Sequence, residues 1–168
     1  RSTEHSTDLK VGAFAMLPTD PSGIIDIKNH SARIALHGIV TAAGQNEGIM
    51  IQLQTKFSRQ VDEHNVLPEY PRPSLVRTSY LNLNGRWECA FSKTPEIPLS
   101  FDLSILVPFS PECQLSGVSR QLKPGEYLWY RRTIPLAKPQ QDKRILLHFG
   151  AADQTAEVFV NRISAVRH

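Results

Sequence analysis

The chain has 168 residues, of which 40% are hydrophobic and 21% are charged. These proportions are typical of one folded domain with a short extension, and they exclude a disordered chain. The net charge is +3 and the densest basic spot is Arg131-Arg132, so the sequence predicts no nucleic-acid partner and a solvated basic surface. No run of about 18 apolar residues occurs, which predicts no membrane span.

Residues 1–50 form the first predicted region. Apolar residues from Ile24 to Ala43 largely fit the face of a helix that ends at Gly44. We therefore expect a partly helical N-terminal extension with one helix, and find no chemical motif in it. The opening RSTEHSTDLKVG lacks the apolar core of a signal peptide, which slightly favours a cytoplasmic location.

Residues 51–78 form the second predicted region. Prolines at 68, 71 and 73 disfavour a helix interior or a central strand, so an extended lead-in along the surface is expected. The character of the sequence changes at Met50, which suggests that Met50 is the natural start and that residues 1–49 are foreign or misassigned.

Residues 79–168 are predicted to be all-β. Short β-branched and aromatic runs alternate with turns that contain Pro, Gly and Asp, which is typical of a sandwich. The predicted strands are Gly85 to Phe91, Ser104 to Val107, Tyr127 to Pro135, Arg144 to Phe149 and Ala156 to Asn161.

The stretch LNLNGRWECAF, residues 81–91, contains an Asn-Gly pair followed by alternating residues. Asn84-Gly85 can supply the positive φ values of a tight turn. Strand alternation places Trp87, Cys89 and Phe91 on one face, which favours a core position for Trp87 over a sugar-stacking platform.

Four blocks of this sequence, in order between about residues 66 and 168, resemble the N-terminal sugar-binding domain of glycoside hydrolase family 2, and most closely its β-galactosidase-like members. The blocks are EYPRPSLVRTSYLNLNGRWECAF, LVPFSPE, GEYLWYRRTIPL and ILLHFGAADQTAEVFVN. The resemblance implies a jelly-roll β-sandwich whose first strand opens at Asn84-Gly85. Arg162 stands where the family normally has Gly after Asn161, a substitution that a two-residue turn with positive φ would disfavour by about 1 kcal/mol.

The family continues beyond the matched blocks with further strands, an immunoglobulin-like domain and a catalytic barrel that carries both catalytic glutamates. We therefore expect a fragment with an incomplete jelly roll, no catalytic residue and no activity alone. The resemblance also implies that a loop at about 115–126 approaches the substrate in the complete enzyme. Its candidate contacts to a β-glycoside are Arg120, Gln121 and Lys123.

The remaining residues suggest no other chemistry. The six histidines lack metal-ligand spacing, so neither a metal nor a cofactor is expected. Two free thiols, Cys89 and Cys113, are favoured over a disulfide, and neither has a nearby histidine in sequence. The carboxylates, Glu88 and Glu126 among them, are spread over turns and outward strand positions, which predicts surface charges.

Two other functions stay open at this point. A free-standing carbohydrate-binding module would need an exposed aromatic platform, for which Trp87, Trp129, Tyr127 and Tyr130 are the candidates. A truncated product without autonomous function would leave an unpaired sheet edge and exposed core, and would tend to aggregate.

Overall fold

The computed structural model describes residues 7–11, 24–26 and 31–39 as backbone strands, and also residues 54–69, 74, 79–136, 144–150, 152 and 155–167. Ten strands occur in these ranges. They are β1 Thr7–Val11, β2 Ile24–Asp26, β3 Ser31–Ile39, β4 Tyr80–Asn82, β5 Gly85–Ser92, β6 Leu103–Val107, β7 Tyr127–Pro135, β8 Ile145–Phe149, β9 Thr155–Val160 and β10 Ile163–Arg167. The described helical residues form short 3-10 turns, including Ser58–Gln60 and Gln114–Ser116.

The strands form two sheets. One sheet is antiparallel throughout and has the order β10-β9-β3-β7-β5-β6. The other sheet is mixed and has the order β2-β8-β1-β4, with β1 parallel to both of its neighbours. The all-β prediction is therefore confirmed, and each of the five strands predicted in residues 79–168 lies within one or two residues of its observed bounds.

The helix predicted in residues 1–50 is wrong, because the described part of that region consists of strands. The sequence around β3 alternates polar Arg33 and His37 with apolar Ile34 and Leu36, which is the period of two of a strand. β3 lies between β7 and β9 and pairs with both. Pairing with two neighbouring strands stabilises the extended conformation of β3 by more than the helical propensity of its alanines favours a helix.

One core cluster joins the two sheets. Trp87 and Ile105 of the six-stranded sheet belong to the same buried cluster as Ile145 and Leu147 of the four-stranded sheet. The Trp87 side chain is 2% exposed and its indole N–H donates to the Leu83 carbonyl at 2.8 Å. The predicted inward position of Trp87 is confirmed, and its polar atom is satisfied as a buried indole requires.

A second, smaller cluster covers the opposite face of the six-stranded sheet. Ala90 and Trp129 are buried there, because Ile97 and Phe101 from the β5–β6 connection pack against them. Buried and exposed side chains alternate along β5 only as far as Cys89, because both faces of the strand are covered at Ala90.

The pair Asn84-Gly85 contributes one positive φ value, 116° at Gly85. The backbone N–H of Asn84 donates a hydrogen bond to Asn82 Oδ1 at 2.8 Å. Its own side-chain amide donates to the Val66 carbonyl at 3.2 Å. The pair therefore opens β5 as expected, but four strands precede it, so β5 is not the first strand.

The β9–β10 hairpin closes through Asn161-Arg162, with φ values of 52° and 70°. Positive φ at both central positions favours Asn-Gly and disfavours a side chain at the second position. We expect Arg162→Gly to raise the free energy of unfolding by about 0.5–1 kcal/mol. Urea unfolding of both proteins measures the difference, with Arg167→Gly in the adjacent strand as a control that should destabilise.

Candidate functional site

The connection between β6 and β7, residues 108–126, contains all three candidate sugar contacts. Its first half is held by its own hydrogen bonds around the fully buried Ser116. The Ser116 hydroxyl donates to the Pro111 carbonyl at 3.2 Å and accepts from the Val118 N–H at 3.0 Å. The Arg120 N–H also donates to Pro111, at 2.9 Å, so the loop has a defined path.

Arg120 binds a carboxylate of the same loop. Its Nη2 lies 2.7 Å from Glu126 Oε1 and 2.9 Å from Oε2, and its guanidinium stacks on Phe91 of β5, 3.8 Å from the ring centroid. Glu126 is only 8% exposed and also accepts from the Lys123 N–H at 3.1 Å. These contacts, which we call the Arg120 clamp, fasten the end of the loop to the six-stranded sheet.

The Arg120 clamp corrects one sequence prediction. Glu126 was expected to be a surface charge, but it is buried because Pro124-Gly125 folds the chain back: Gly125 has φ 76° and the Glu126 N–H donates to the Lys123 carbonyl at 3.0 Å. Arg120 and Glu126 are six residues apart in sequence, a spacing at which neither a helix nor a strand brings two side chains into contact. The Pro-Gly turn was the signal that could have revealed the pair.

The other two candidates, Gln121 and Lys123, are exposed, while Leu122 between them is 5% exposed and belongs to the core. Leu122 therefore anchors the loop while its two neighbours remain accessible. The structure thus separates the three candidates: Arg120 positions the loop, and Gln121 and Lys123 lie on its accessible side.

We expect Arg120→Ala to lower the free energy of unfolding by about 2 kcal/mol, because it leaves a buried carboxylate without its charged donor. The expected loss of stability is smaller than for a fully buried ion pair, since the Arg120 side chain is 40% exposed. Thermal or urea unfolding measures the loss. Lys123→Ala is the matched control from the same loop and should change stability by less than about 0.5 kcal/mol; equal losses in the two variants would contradict the clamp.

The thiol beside the Arg120 clamp is not a nucleophile at neutral pH. Cys89 is fully buried, and this burial raises the pKa of its thiol to about 12 although Arg120 opposes the shift. Burial also raises the pKa of the Tyr130 hydroxyl, and electrostatic interactions with Cys89 and Glu112 raise that pKa further. Both groups stay protonated because charged forms are disfavoured away from water. Cys89 and Cys113 are free, as the sequence favoured.

The proposed aromatic platform is largely buried. Trp87 and Trp129 are 2% and 0% exposed, and the Trp129 indole N–H donates to Ser92 Oγ at 3.0 Å. Tyr127 and Tyr130 are half-buried and pack against the two clusters. Stacking a sugar ring needs an open aromatic face, and neither tryptophan offers one.

The basic pair on β7 is bound to neighbouring groups rather than solvated. Arg131 pairs with Glu88 across the strands, with Nε 2.7 Å from Oε2, and this bond raises the Arg131 pKa. Arg132 is half-buried, which lowers its pKa, and its Nη1 donates to the carbonyls of Leu83 and Asn84 at 2.6 and 3.2 Å. The prediction of a solvated basic spot is therefore wrong, and both side chains are structural.

The described residues contain no cluster of three or more potential metal ligands. No helix among them is long and apolar enough to cross a membrane. Neither a protein-family model nor a curated protein matches the chain.

Proposed function

We propose that this chain is part of the N-terminal sugar-binding domain of a family 2 glycoside hydrolase. The observation that carries the proposal is the order of the four blocks, whose residues fall on successive elements: β5, the end of β6, β7, and the pair β8 and β9. A chance match of one short block is common, whereas chance matches of four blocks in order, on five strands of an all-β fold, are not. Two sheets around one core are compatible with the jelly roll that the resemblance implies.

The proposed role is to bind carbohydrate without catalysing its hydrolysis. In the complete enzyme two glutamates of the barrel would cleave the glycosidic bond, one as acid and base and the other as nucleophile. The 115–126 loop would contribute to the walls of the substrate site. The Arg120 clamp and the buried Leu122 support this role because they hold Gln121 and Lys123 in fixed, accessible positions.

The test is an NMR titration of the isotopically labelled chain with the methyl β-glycosides of galactose, glucuronic acid and mannose. We expect amide shift changes within residues 115–126 for at least one sugar, and no hydrolysis. Lys123→Ala should reduce these changes, whereas Lys93→Ala, an exposed lysine in the β5–β6 connection, should not. Absence of shift changes in this loop with all three sugars would contradict the proposed role.

A further inference from the structure

Three arginines of the described chain are each neutralised by a glutamate. The pairs are Arg86–Glu63, Arg120–Glu126 and Arg131–Glu88. Arg132 differs, because its hydrogen-bond partners are the backbone carbonyls of Leu83 and Asn84. In the part of the chain that the structure describes, it forms no ion pair with a carboxylate. A charge that is partly withdrawn from water normally has an opposite charge beside it.

Arg132 lies on the inner face of β7. Tyr130 and Ile134, two residues before and after it, both pack in the core cluster that joins the two sheets, and side chains two apart on a strand share a face. The Arg132 guanidinium accordingly lies near Trp87, a member of the same cluster. Arg132 is thus a half-buried cation on the core side of the sheet, and its remaining exposure lets a solute reach it.

Only one nitrogen of the Arg132 guanidinium has protein acceptors. A guanidinium has five N–H donors, and Nη1 makes both of the hydrogen bonds to carbonyls, at 2.6 and 3.2 Å. The edge formed by Nε and Nη2 has no acceptor among the described residues. In the neighbouring Arg131, Nε and Nη2 donate to the two oxygens of Glu88 at 2.7 and 2.9 Å. Arg132 therefore presents to solutes the edge with which Arg131 binds a carboxylate.

We propose that Arg132 binds a small carboxylate ion through Nε and Nη2, while the two carbonyls on Nη1 fix the plane of its guanidinium. The planar fork matches the two oxygens of a carboxylate and forms two parallel, charge-assisted hydrogen bonds with them. The bound ion also supplies the opposite charge that a half-buried cation needs. This site does not depend on sugar binding by the 115–126 loop, so either proposal can fail without the other.

The test is an NMR titration of the isotopically labelled full chain with sodium acetate, compared with sodium chloride at the same ionic strength. We expect the Nε–H signal of Arg132 to shift with a saturable dependence on acetate and to stay unchanged in chloride. The Nε–H signal of Arg131 is the internal control. It should not move, because Glu88 already accepts from that nitrogen.

Urea unfolding gives an independent readout of the same binding. Because acetate would bind only the folded chain, about ten times its dissociation constant should raise the ratio of folded to unfolded chains about 11-fold. Arg132→Lys keeps the positive charge but lacks the fork, so it should lose this gain. Arg131→Lys, the matched control, should keep it.

Three results would overturn the proposal. They are a linear or equal shift of the two arginine signals, an equal effect of chloride, and an undiminished acetate gain in Arg132→Lys. If Arg132→Lys does not fold, the NMR titration of the unaltered chain decides by itself.

Discussion

A chain that begins at Met50 is expected to lose cooperative unfolding. The deletion removes β1, β2 and β3. β7 and β9 then lose the strand between them, β4 loses β1, and β8 loses both of its neighbours. Five strand edges would become unpaired, and open edges of this kind promote aggregation. The sequence suggested that residues 1–49 are foreign or misassigned, and this deletion tests that hypothesis directly.

Urea unfolding followed by circular dichroism and light scattering measures the effect. The matched control begins at Thr7, the first residue of β1, and should retain the sigmoidal transition of the full chain. If the chain from Met50 stayed monomeric and unfolded with an unchanged midpoint, the inner positions of β1 and β3 in their sheets would be refuted.

Trp87→Ala is expected to lower the free energy of unfolding by about 3–5 kcal/mol, the usual cost of removing a large buried side chain. Trp87 packs in the core cluster shared by both sheets, and the Arg132 guanidinium lies 5.8 Å from its ring centroid. Its removal therefore leaves a cavity in the main core. Such a loss is a large share of the stability of a small domain.

Denaturant unfolding measures this loss, and Leu99→Ala provides the control. Leu99 is apolar but 97% exposed, so its truncation should change stability by less than about 0.5 kcal/mol. A Trp87 variant with near-native stability but weakened sugar binding would instead support the platform of a free-standing carbohydrate-binding module.

The strands after residue 79 were predictable because local signals agree there. Around β7, for example, a Pro-Gly turn precedes a run of β-branched and aromatic residues, and the predicted bounds Tyr127–Pro135 match those observed. The turn at Asn161-Arg162 was expected from the family resemblance and not from its own residues, since Arg is disfavoured at the second position.

Strands β1, β2 and β3 were not predictable because their pairing partners are distant in sequence. Ala35 of β3 pairs with Arg131 on one side and Phe159 on the other, about a hundred residues away. Alanines and isoleucines together satisfy either a helix or a strand locally, and only the two distant ladders decide between them.

The candidate site was predictable in part. The sequence located the loop and its polar residues, but it could not show that Arg120 would bind Glu126 and stack on Phe91. Those contacts depend on a turn and a strand coming together in three dimensions. Gln121 and Lys123 are exposed, and their contact with a sugar stays a prediction.

The measurement that tests the central proposal most directly is the sequence of the native transcript downstream of the codon for His168. The proposal predicts a reading frame that continues through further strands and an immunoglobulin-like domain into a barrel with two glutamates at strand ends. A reading frame that continues into unrelated sequence, or that stops at His168, would contradict a role in a family 2 glycosidase.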